Sequence, residues 1–228
     1  EQVFMTTHLK GENTFFLPFN KGNNNGAGNP ENGGIKTDYL WNDILKKEVL
    51  SEIIQNYVQL FEEDGEKIKP DGTYEKIKTR KLIFPRYHQL NVVRRLLHDS
   101  KTLGTGNKYL IQHSAGSGKS NSISWLAHQL ASLFDANNNN VFDSIIVVTD
   151  RRVLDAQIRN NIKQFQQVNG VVEAITEGSK QLKQALEEGK KIIITTIQKF
   201  PHIVEDIGDL PGNNFAIIID EAHSSLSG

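Results

Sequence analysis

Residues 113–120 read HSAGSGKS, and about a hundred residues later residues 217–223 read IIIDEAH. The first stretch follows the apolar segment KYLIQ and precedes a run whose apolar residues recur at helical spacing. Small residues at such a strand-to-helix turn let backbone N–H groups surround a polyphosphate, and the helix N-terminus directs its positive dipole end at the anion. The two stretches together predict an α/β domain that binds a nucleotide.

The chemistry of the first stretch assigns expected roles to its side chains. Lys119 would reach the β- and γ-phosphates of ATP, and the Ser120 hydroxyl would bind Mg²⁺. The strict phosphate-loop pattern has glycine where His113 stands, but the sharp turn itself remains glycine-rich. The backbone that cradles the phosphates would come from Ser114, Ala115, Gly116, Ser117 and Gly118.

The second stretch is an apolar run that ends in two carboxylates. Asp220 would hold Mg²⁺ through water, and Glu221 would orient and deprotonate the water that attacks the γ-phosphate. A solvated helix cap after a buried strand is the alternative, and the phosphate loop upstream in the same chain disfavours it. ATP and Mg²⁺ are therefore the expected cofactors, with Lys119, Asp220 and Glu221 as the catalytic residues.

The spacing of apolar runs predicts the architecture around these residues. Strand candidates alternate with helical segments, and most of them are continuously apolar, as expected of parallel strands covered on both faces. We therefore predict an α/β fold with a parallel sheet sandwiched by helices and joined by right-handed crossovers. The strand candidates are Tyr109–Gln112, Ser144–Thr149, Val171–Ile175, Ile192–Thr196 and Phe215–Asp220.

The residues before this domain have a different character. Residues 20–34 are dominated by Asn and Gly, which indicates either a disordered linker or an ordered loop with positive-φ turns. Helical spacing follows from Thr37, and the charged segment 62–80 carries a Pro-Asp-Gly turn signal that predicts an exposed hairpin or loop. We expect a linker and helical region over residues 1–80 and the nucleotide-binding domain over residues 81–228.

Composition limits the function classes. The chain has 228 residues, a net charge of −1 and no cysteine, which excludes a disulfide framework and any Cys-ligated zinc site. Any contact with DNA must come from a local surface, because no global basic field exists. No apolar run approaches the roughly 18–20 residues that cross a bilayer, and the N-terminus has no signal-peptide pattern. We expect a cytoplasmic protein without membrane contact.

Further motifs occur in a consistent order: PRYHQ at 85–89, DRRVLDAQ at 150–157 and TTIQKF at 195–200. With the phosphate loop and DEAH, this series resembles the first, RecA-like motor domain of superfamily 2 helicases. More narrowly, it resembles the motor subunit of type I restriction–modification enzymes over essentially the whole chain. The N-terminal THLKGENTFFLPFNKG is similar to the linker that follows the nuclease domain in those subunits.

The resemblance implies roles for further residues. Gln89 would bond the adenine edge, with Arg86 nearby and Phe84 or Tyr87 available to stack on the base. DNA-contact candidates are Arg151, Thr195, Thr196 and Gln198, although a hydroxyl or amide after a strand suits helix capping equally well. His223 would link the nucleotide site to the DNA-facing side.

The resemblance also implies an activity and partners. A type I motor subunit hydrolyses ATP to translocate double-stranded DNA before cleavage, and works with modification (methylase) and specificity subunits. The nuclease site and the second motor domain fall outside these residues, so the chain alone should hydrolyse ATP poorly. Two alternatives remain open, namely another superfamily 2 DNA or RNA helicase and a nucleotide-switched binding module in which Glu221 is idle.

Overall fold

The computed structural model describes residues 1–24, 26–31, 33–149, 158–163, 171–175, 179–198 and 213–221. Its internal contacts divide the chain into two compact units, Glu1–Leu90 and Asn91–Gly228. The boundary predicted between residues 80 and 81 stays a prediction and lies shortly before this division. Among the described residues, no helix is both long enough and apolar enough to span a membrane.

The described residues of the N-terminal unit form short strands, helical segments and a long two-stranded ribbon. Strands β1 and β2 form an antiparallel pair, and a π-helical turn at Leu40–Ile44 precedes helix α1. Strands β3 and β4 form the ribbon, after which helix α2 begins. The bounds are β1 Phe4–Met5, β2 Leu17–Pro18, α1 Lys47–Asn56, β3 Gln59–Ile68, β4 Tyr74–Ile83 and α2 Tyr87–Leu103.

The ribbon confirms the exposed hairpin predicted over the charged segment. Its ten-residue strands pair in antiparallel register from Gln59 opposite Ile83 to Ile68 opposite Tyr74. The tip closes because the Lys69 N–H donates to the Thr73 carbonyl at 2.8 Å. The Asp71 carboxylate accepts the Thr73 N–H at 2.9 Å, an interaction typical of Asx turns.

Side-chain amides hold the described part of the Asn/Gly-rich stretch in one conformation. Asn29 is only 2 % exposed, and its Oδ1 accepts the Lys21 N–H at 2.9 Å. Its Nδ2 donates to Asn20 Oδ1 at 2.9 Å, and the same oxygen accepts the Val3 N–H at 2.8 Å. Of the two alternatives for this stretch, the hydrogen bonds favour the ordered loop.

The described residues of the C-terminal unit form a four-stranded parallel sheet. The strand order is β6-β7-β5-β8, and every neighbouring pair is parallel. The fold class predicted from sequence is therefore confirmed as an α/β fold with a RecA-like parallel sheet. The bounds are α3 Lys119–Ala131, β5 Ser144–Thr149, β6 Val172–Ala174, α4 Ser179–Glu187, β7 Ile192–Thr196 and β8 Phe215–Ile219, with a further helical turn at 158–163.

Helices cover both faces of this sheet, which explains why its central strands are continuously apolar. On one face, α3 and the helical turn at 158–163 pack through their apolar side chains against Ile145 and Val147 of β5. On the other face, Ala185 of α4 packs with Ile146 and Val148. All six residues of β5 are buried, so this strand forms the centre of the core.

One predicted strand is wrong. Residues 109–112 form no strand, and Leu110 is 90 % exposed. A strand needs a hydrogen-bonded neighbour to satisfy its backbone groups, and no described residue pairs with this segment. Its apolar composition indicates strand propensity, but propensity without a pairing partner does not produce a strand.

We predict that Asn29→Ala removes the protection of the Lys21 amide from hydrogen exchange. The side-chain acceptor of that amide disappears, and unmade bonds to buried polar groups cost about 1–3 kcal/mol each. Hydrogen exchange followed by mass spectrometry measures the effect, with the Lys69 amide of the ribbon as the internal reference. Asn29→Asp retains an acceptor oxygen and should keep most of the protection. Equal protection in Asn29→Ala and the unmodified protein would contradict the prediction.

Candidate nucleotide-binding site

The turn that precedes α3 has the backbone geometry of an anion-binding loop. The Ser117 N–H donates to the Ser114 carbonyl at 3.2 Å, which closes the turn. Gly116 and Gly118 adopt φ values of +72° and +83°, a region that favours glycine. Gly118 is the N-cap of α3, so the helix begins at Lys119.

The start of α3 offers backbone donors to an anion. The Gly118 carbonyl accepts the N–H groups of Asn121 and Ser122 at 3.1 and 3.3 Å, while the first N–H groups of any helix have no partner within the helix. The Ser124 hydroxyl donates to the Ser120 carbonyl at 2.8 Å and so ties the first turn together. The phosphate loop predicted at 114–120 therefore has a backbone suited to a polyphosphate.

The two carboxylates stand where β8 ends. The Asp220 N–H donates to the Val148 carbonyl at 2.9 Å, which extends the ladder with β5 by one residue. Strand alternation puts Asp220 on the same face as Ala216 and Ile218, which is the face that α3 covers. Glu221 then adopts φ +53° and turns the chain out of the strand.

An ion pair brings the phosphate loop and the strand end together. Lys119 Nζ lies 3.0 Å from Glu221 Oε1, and both side chains are about one-third or less exposed. Solvent screening limits what a partly exposed pair adds to stability. The geometric consequence is more important. The ammonium that would hold phosphate is in direct contact with the carboxylate that would activate water.

The Asp220 carboxyl is buried beside a second carboxylate. Burial raises the pKa of its carboxyl, the neighbouring Glu221 carboxylate raises the pKa further, and the Lys119 ammonium offsets part of the rise. Only 9 % of the residue is exposed. A buried carboxylate beside a second carboxylate favours a bound cation.

Magnesium fits this set of side chains. Within the described ranges, no group of three or more His, Cys, Asp or Glu residues could form an all-protein metal site. Mg²⁺ usually needs no such group, because one or two protein oxygens, waters and substrate phosphates complete its octahedral shell. The Ser120 hydroxyl and the Asp220 carboxylate are the residues that would hold it.

The residues proposed to read adenine belong to the N-terminal unit. Gln89 is 3 % exposed, and its Oε1 accepts the Arg86 N–H at 2.8 Å, as in one half of a capping box. The Phe84 and Tyr87 rings lie 6.2 and 5.8 Å from the Phe19 ring, so each takes part in an intramolecular aromatic contact. Adenine recognition by Gln89 and Arg86 stays a prediction.

The DNA-contact candidates differ in exposure. Thr195 and Thr196 end β7 and are buried, whereas Gln198 follows the strand and is exposed. Arg151 and His223 lie outside the described residues. Of the described candidates, Gln198 is the one whose side chain is accessible to a ligand in this conformation.

Two features of this site were not predicted from the sequence. One is the Lys119–Glu221 ion pair, which joins residues about a hundred positions apart. The other is Thr149, which pairs in register with Thr196 and ends β5 next to the strand that carries Asp220. A polar residue closing an otherwise apolar run is the signal that would have identified Thr149.

We predict that Asp220→Asn raises the melting temperature of the nucleotide-free protein at pH 7. The raised pKa means that the native state holds this proton more tightly than the unfolded state, so stability falls as pH rises through the interval above 3.8, the ordinary Asp value. The gain should shrink as pH falls towards that value, where the carboxyl is protonated in both states. Thermal unfolding at several pH values tests this, and a gain that does not depend on pH would contradict it.

Comparison with known proteins identifies relatives for both parts of the chain. The family model of the SWI2/SNF2 ATPase matches residues 88–228. The type I restriction enzyme HindI endonuclease subunit of Haemophilus influenzae is 30 % identical over 198 residues, covering 83 % of this chain and 17 % of that protein. A putative type I restriction enzyme MjaVIIIP endonuclease subunit of Methanocaldococcus jannaschii is 27 % identical over 217 residues, covering 85 % and 19 %.

The chain therefore spans less than a fifth of the length of these two relatives. The resemblance to type I restriction subunits drawn from the motifs is confirmed by both of them. The family match covers more than half of the chain and includes the phosphate loop, the whole parallel sheet and both carboxylates. On this evidence, the chain belongs to the SWI2/SNF2 ATPase family.

Proposed function

We propose that the chain is the ATP-hydrolysing motor part of a type I restriction enzyme, which translocates double-stranded DNA before cleavage. The observation that carries the proposal is the 3.0 Å contact between Lys119 and Glu221. It brings together a phosphate-binding turn and a candidate general base, and an ATPase needs both. An ATPase activity agrees with the family to which the chain belongs.

The proposed mechanism assigns one task to each side chain. The turn at 114–118 and the first turn of α3 bind the phosphates through backbone N–H groups. Lys119 moves from Glu221 to the β- and γ-phosphates when ATP binds, which releases the carboxylate. Glu221 then orients a water in line with the γ-phosphate and accepts its proton as the water oxygen attacks phosphorus and the bond to the β-phosphate oxygen breaks.

Magnesium supplies charge neutralisation on the phosphate oxygens. Ser120 and Asp220 would hold it, and Gln89 with Arg86 would select adenine. Release of the Lys119–Glu221 pair by ATP gives the site two charge arrangements, one without nucleotide and one with it. This exchange makes Glu221 available for general-base chemistry only when substrate is bound.

The extent of the similarity favours a restriction motor over other motors of the superfamily. The relatives align over 83 and 85 % of the chain, which is more than the family model covers. At least part of the N-terminal unit therefore aligns with them as well, and a general helicase would not require it. The proposed partners, as the resemblance to type I restriction enzymes implies, are double-stranded DNA and the modification and specificity subunits, in the cytoplasm.

The proposal predicts ATP turnover that depends on unmethylated target DNA. In the full-length protein with its partner subunits, we expect duplex carrying an unmethylated target site to stimulate turnover, and methylated duplex or single-stranded RNA to have little effect. Lys119→Ala should lower the stimulated rate about 10²–10³-fold, the usual cost of losing one electrostatic stabiliser. Glu221→Gln should lower it about 10²–10⁴-fold, the usual contribution of a general base, while ATP stays bound. A phosphate-release assay and ATP retention on a filter measure the two effects.

Glu188→Gln is the matched control for the Glu221 variant. Glu188 also pairs with a lysine, at 3.5 Å from Lys190, but lies on the α4 side of the sheet. Its rate should equal that of the unmodified protein. Stimulation by RNA, or by duplex regardless of methylation, would support a general helicase. ATP binding without stimulated turnover, unchanged by Glu221→Gln, would support a nucleotide-switched binding module.

A further inference from the structure

The N-terminal unit contains an aromatic cluster, defined here as Phe19, Tyr39, Phe84 and Tyr87. Phe19 stacks on Tyr39 with ring centroids 6.5 Å apart and lies 6.2 Å from Phe84. Tyr87 meets two rings edge-on, at 5.8 Å from Phe19 and 5.3 Å from Tyr39. Edge-to-face pairs of this kind contribute beyond their buried area. The cluster joins the N-terminal loop region to the two residues on either side of the Pro85-Arg86 dipeptide.

Tyr39 is held in this cluster by burial and by polar contacts. It is 2 % exposed, and its hydroxyl donates to the Phe19 carbonyl. The Lys21 ammonium lies 5.0 Å from the centroid of its ring, within cation–π range. Burial raises the pKa of Tyr39 to about 12, so the phenol stays neutral and keeps its proton for the hydrogen bond. The ring therefore has a fixed place against which Tyr87 packs.

Tyr87 in turn sets the position of Gln89. Tyr87 is the first residue of α2, and Gln89 follows within the same turn. Gln89 Oε1 accepts the Arg86 N–H at 2.8 Å, so the amide orientation is tied to the backbone immediately before the helix. A displacement of Tyr87 would move Arg86 and Gln89 together, because both are fixed to the start of α2.

We propose that Tyr39 is a positioning residue for base recognition, which fixes the start of α2 through Tyr87 and thereby aims the Gln89 amide at the base. The inference rests on the proposed role of Gln89 in reading adenine. It adds that a residue outside the motor motifs, in the N-terminal loop region, sets the selectivity for the base. The phosphate loop is built from other residues, so the affinity for phosphates alone should not depend on Tyr39.

The test compares an adenine with a guanine nucleotide in the full-length protein. Calorimetry gives the dissociation constants of AMP-PNP and GMP-PNP, and their ratio in the unmodified protein should be about 5–150-fold, as for an amide that reads adenine through two bonds. Tyr39→Leu should lower this ratio at least about 5-fold, the low end of that range. Tyr39→Phe keeps the ring and should retain most of the ratio. The affinity for tripolyphosphate should be the same in all three proteins.

Two further variants separate positioning from general damage. Tyr57→Leu removes another fully buried tyrosine of the same unit that makes none of the four ring contacts, so it should leave the ratio unchanged. Gln89→Ala gives the ratio of the two dissociation constants when no amide at position 89 contacts the base. Tyr39→Leu combined with Gln89→Ala should lose no more than Gln89→Ala alone, because residues that act through one another are not additive.

The outcomes distinguish this inference from the proposed function. A Tyr39→Leu protein with an unchanged ratio, or a Tyr57→Leu protein with the same loss, would overturn the positioning role and leave the ATPase proposal intact. An unchanged ratio in Gln89→Ala would overturn adenine readout by Gln89, and the role of Tyr39 with it. Loss of tripolyphosphate binding in Tyr39→Leu would show a structural role instead of a positioning one.

Discussion

The pairing of β5 with β8 is the constraint on which the candidate site depends. Strand β5 is buried along its whole length and pairs with β7 on one side and β8 on the other. Because the ladder continues one residue beyond β8, the Asp220 N–H binds the Val148 carbonyl and the carboxylate is held at the end of the sheet. A shift of one residue in this register would turn Asp220 to the opposite face, away from α3.

At this strand end, two carboxylates and one ammonium lie close together among the described residues. Asp220 and Glu221 are adjacent, and one ammonium, that of Lys119, lies against Glu221. Burial makes an unneutralised carboxylate costly. The same arrangement that destabilises the protein without nucleotide would bind Mg²⁺ and phosphate favourably, because the cation would neutralise carboxylate charge and the phosphate would attract Lys119. The carboxylates that lower the stability of the nucleotide-free protein are therefore the same groups that would bind Mg²⁺.

Local patterns predicted much of this structure. Apolar runs indicated β5, β7 and β8, and the Pro-Asp-Gly signal indicated the ribbon, because a strand buried on both faces and a tight turn each leave a local mark in the sequence. The motifs predicted that Lys119 and Glu221 share one site, but not that they form an ion pair, and the contact of Phe19 with Tyr87 had no sequence signal because it joins distant parts of the chain. Asn29 shows a further limit of prediction from sequence. Its asparagine-rich surroundings are as typical of a disordered linker as of an ordered loop, and only its burial in the structure distinguishes it from the neighbouring asparagines.

The segment 109–112 shows why propensity and topology must agree. The helical turn at 158–163 lies on the same face of the sheet as α3, in the connection from β5 to β6. Strand β6 lies on the side of β5 away from β8. Helix α4 lies on the other face, in the connection that leads from β6 back to β7. Both connections therefore have the same hand, as right-handed crossovers require. Applied to α3, the rule puts any strand before it on the β8 side of β5. Strand β8 already occupies the place next to β5, and its Ile217 and Ile219 are 47 and 42 % exposed. Residues 109–112 would therefore have to lie at or beyond the outer edge of β8, where the described residues form no ladder, and their strand propensity remains unused.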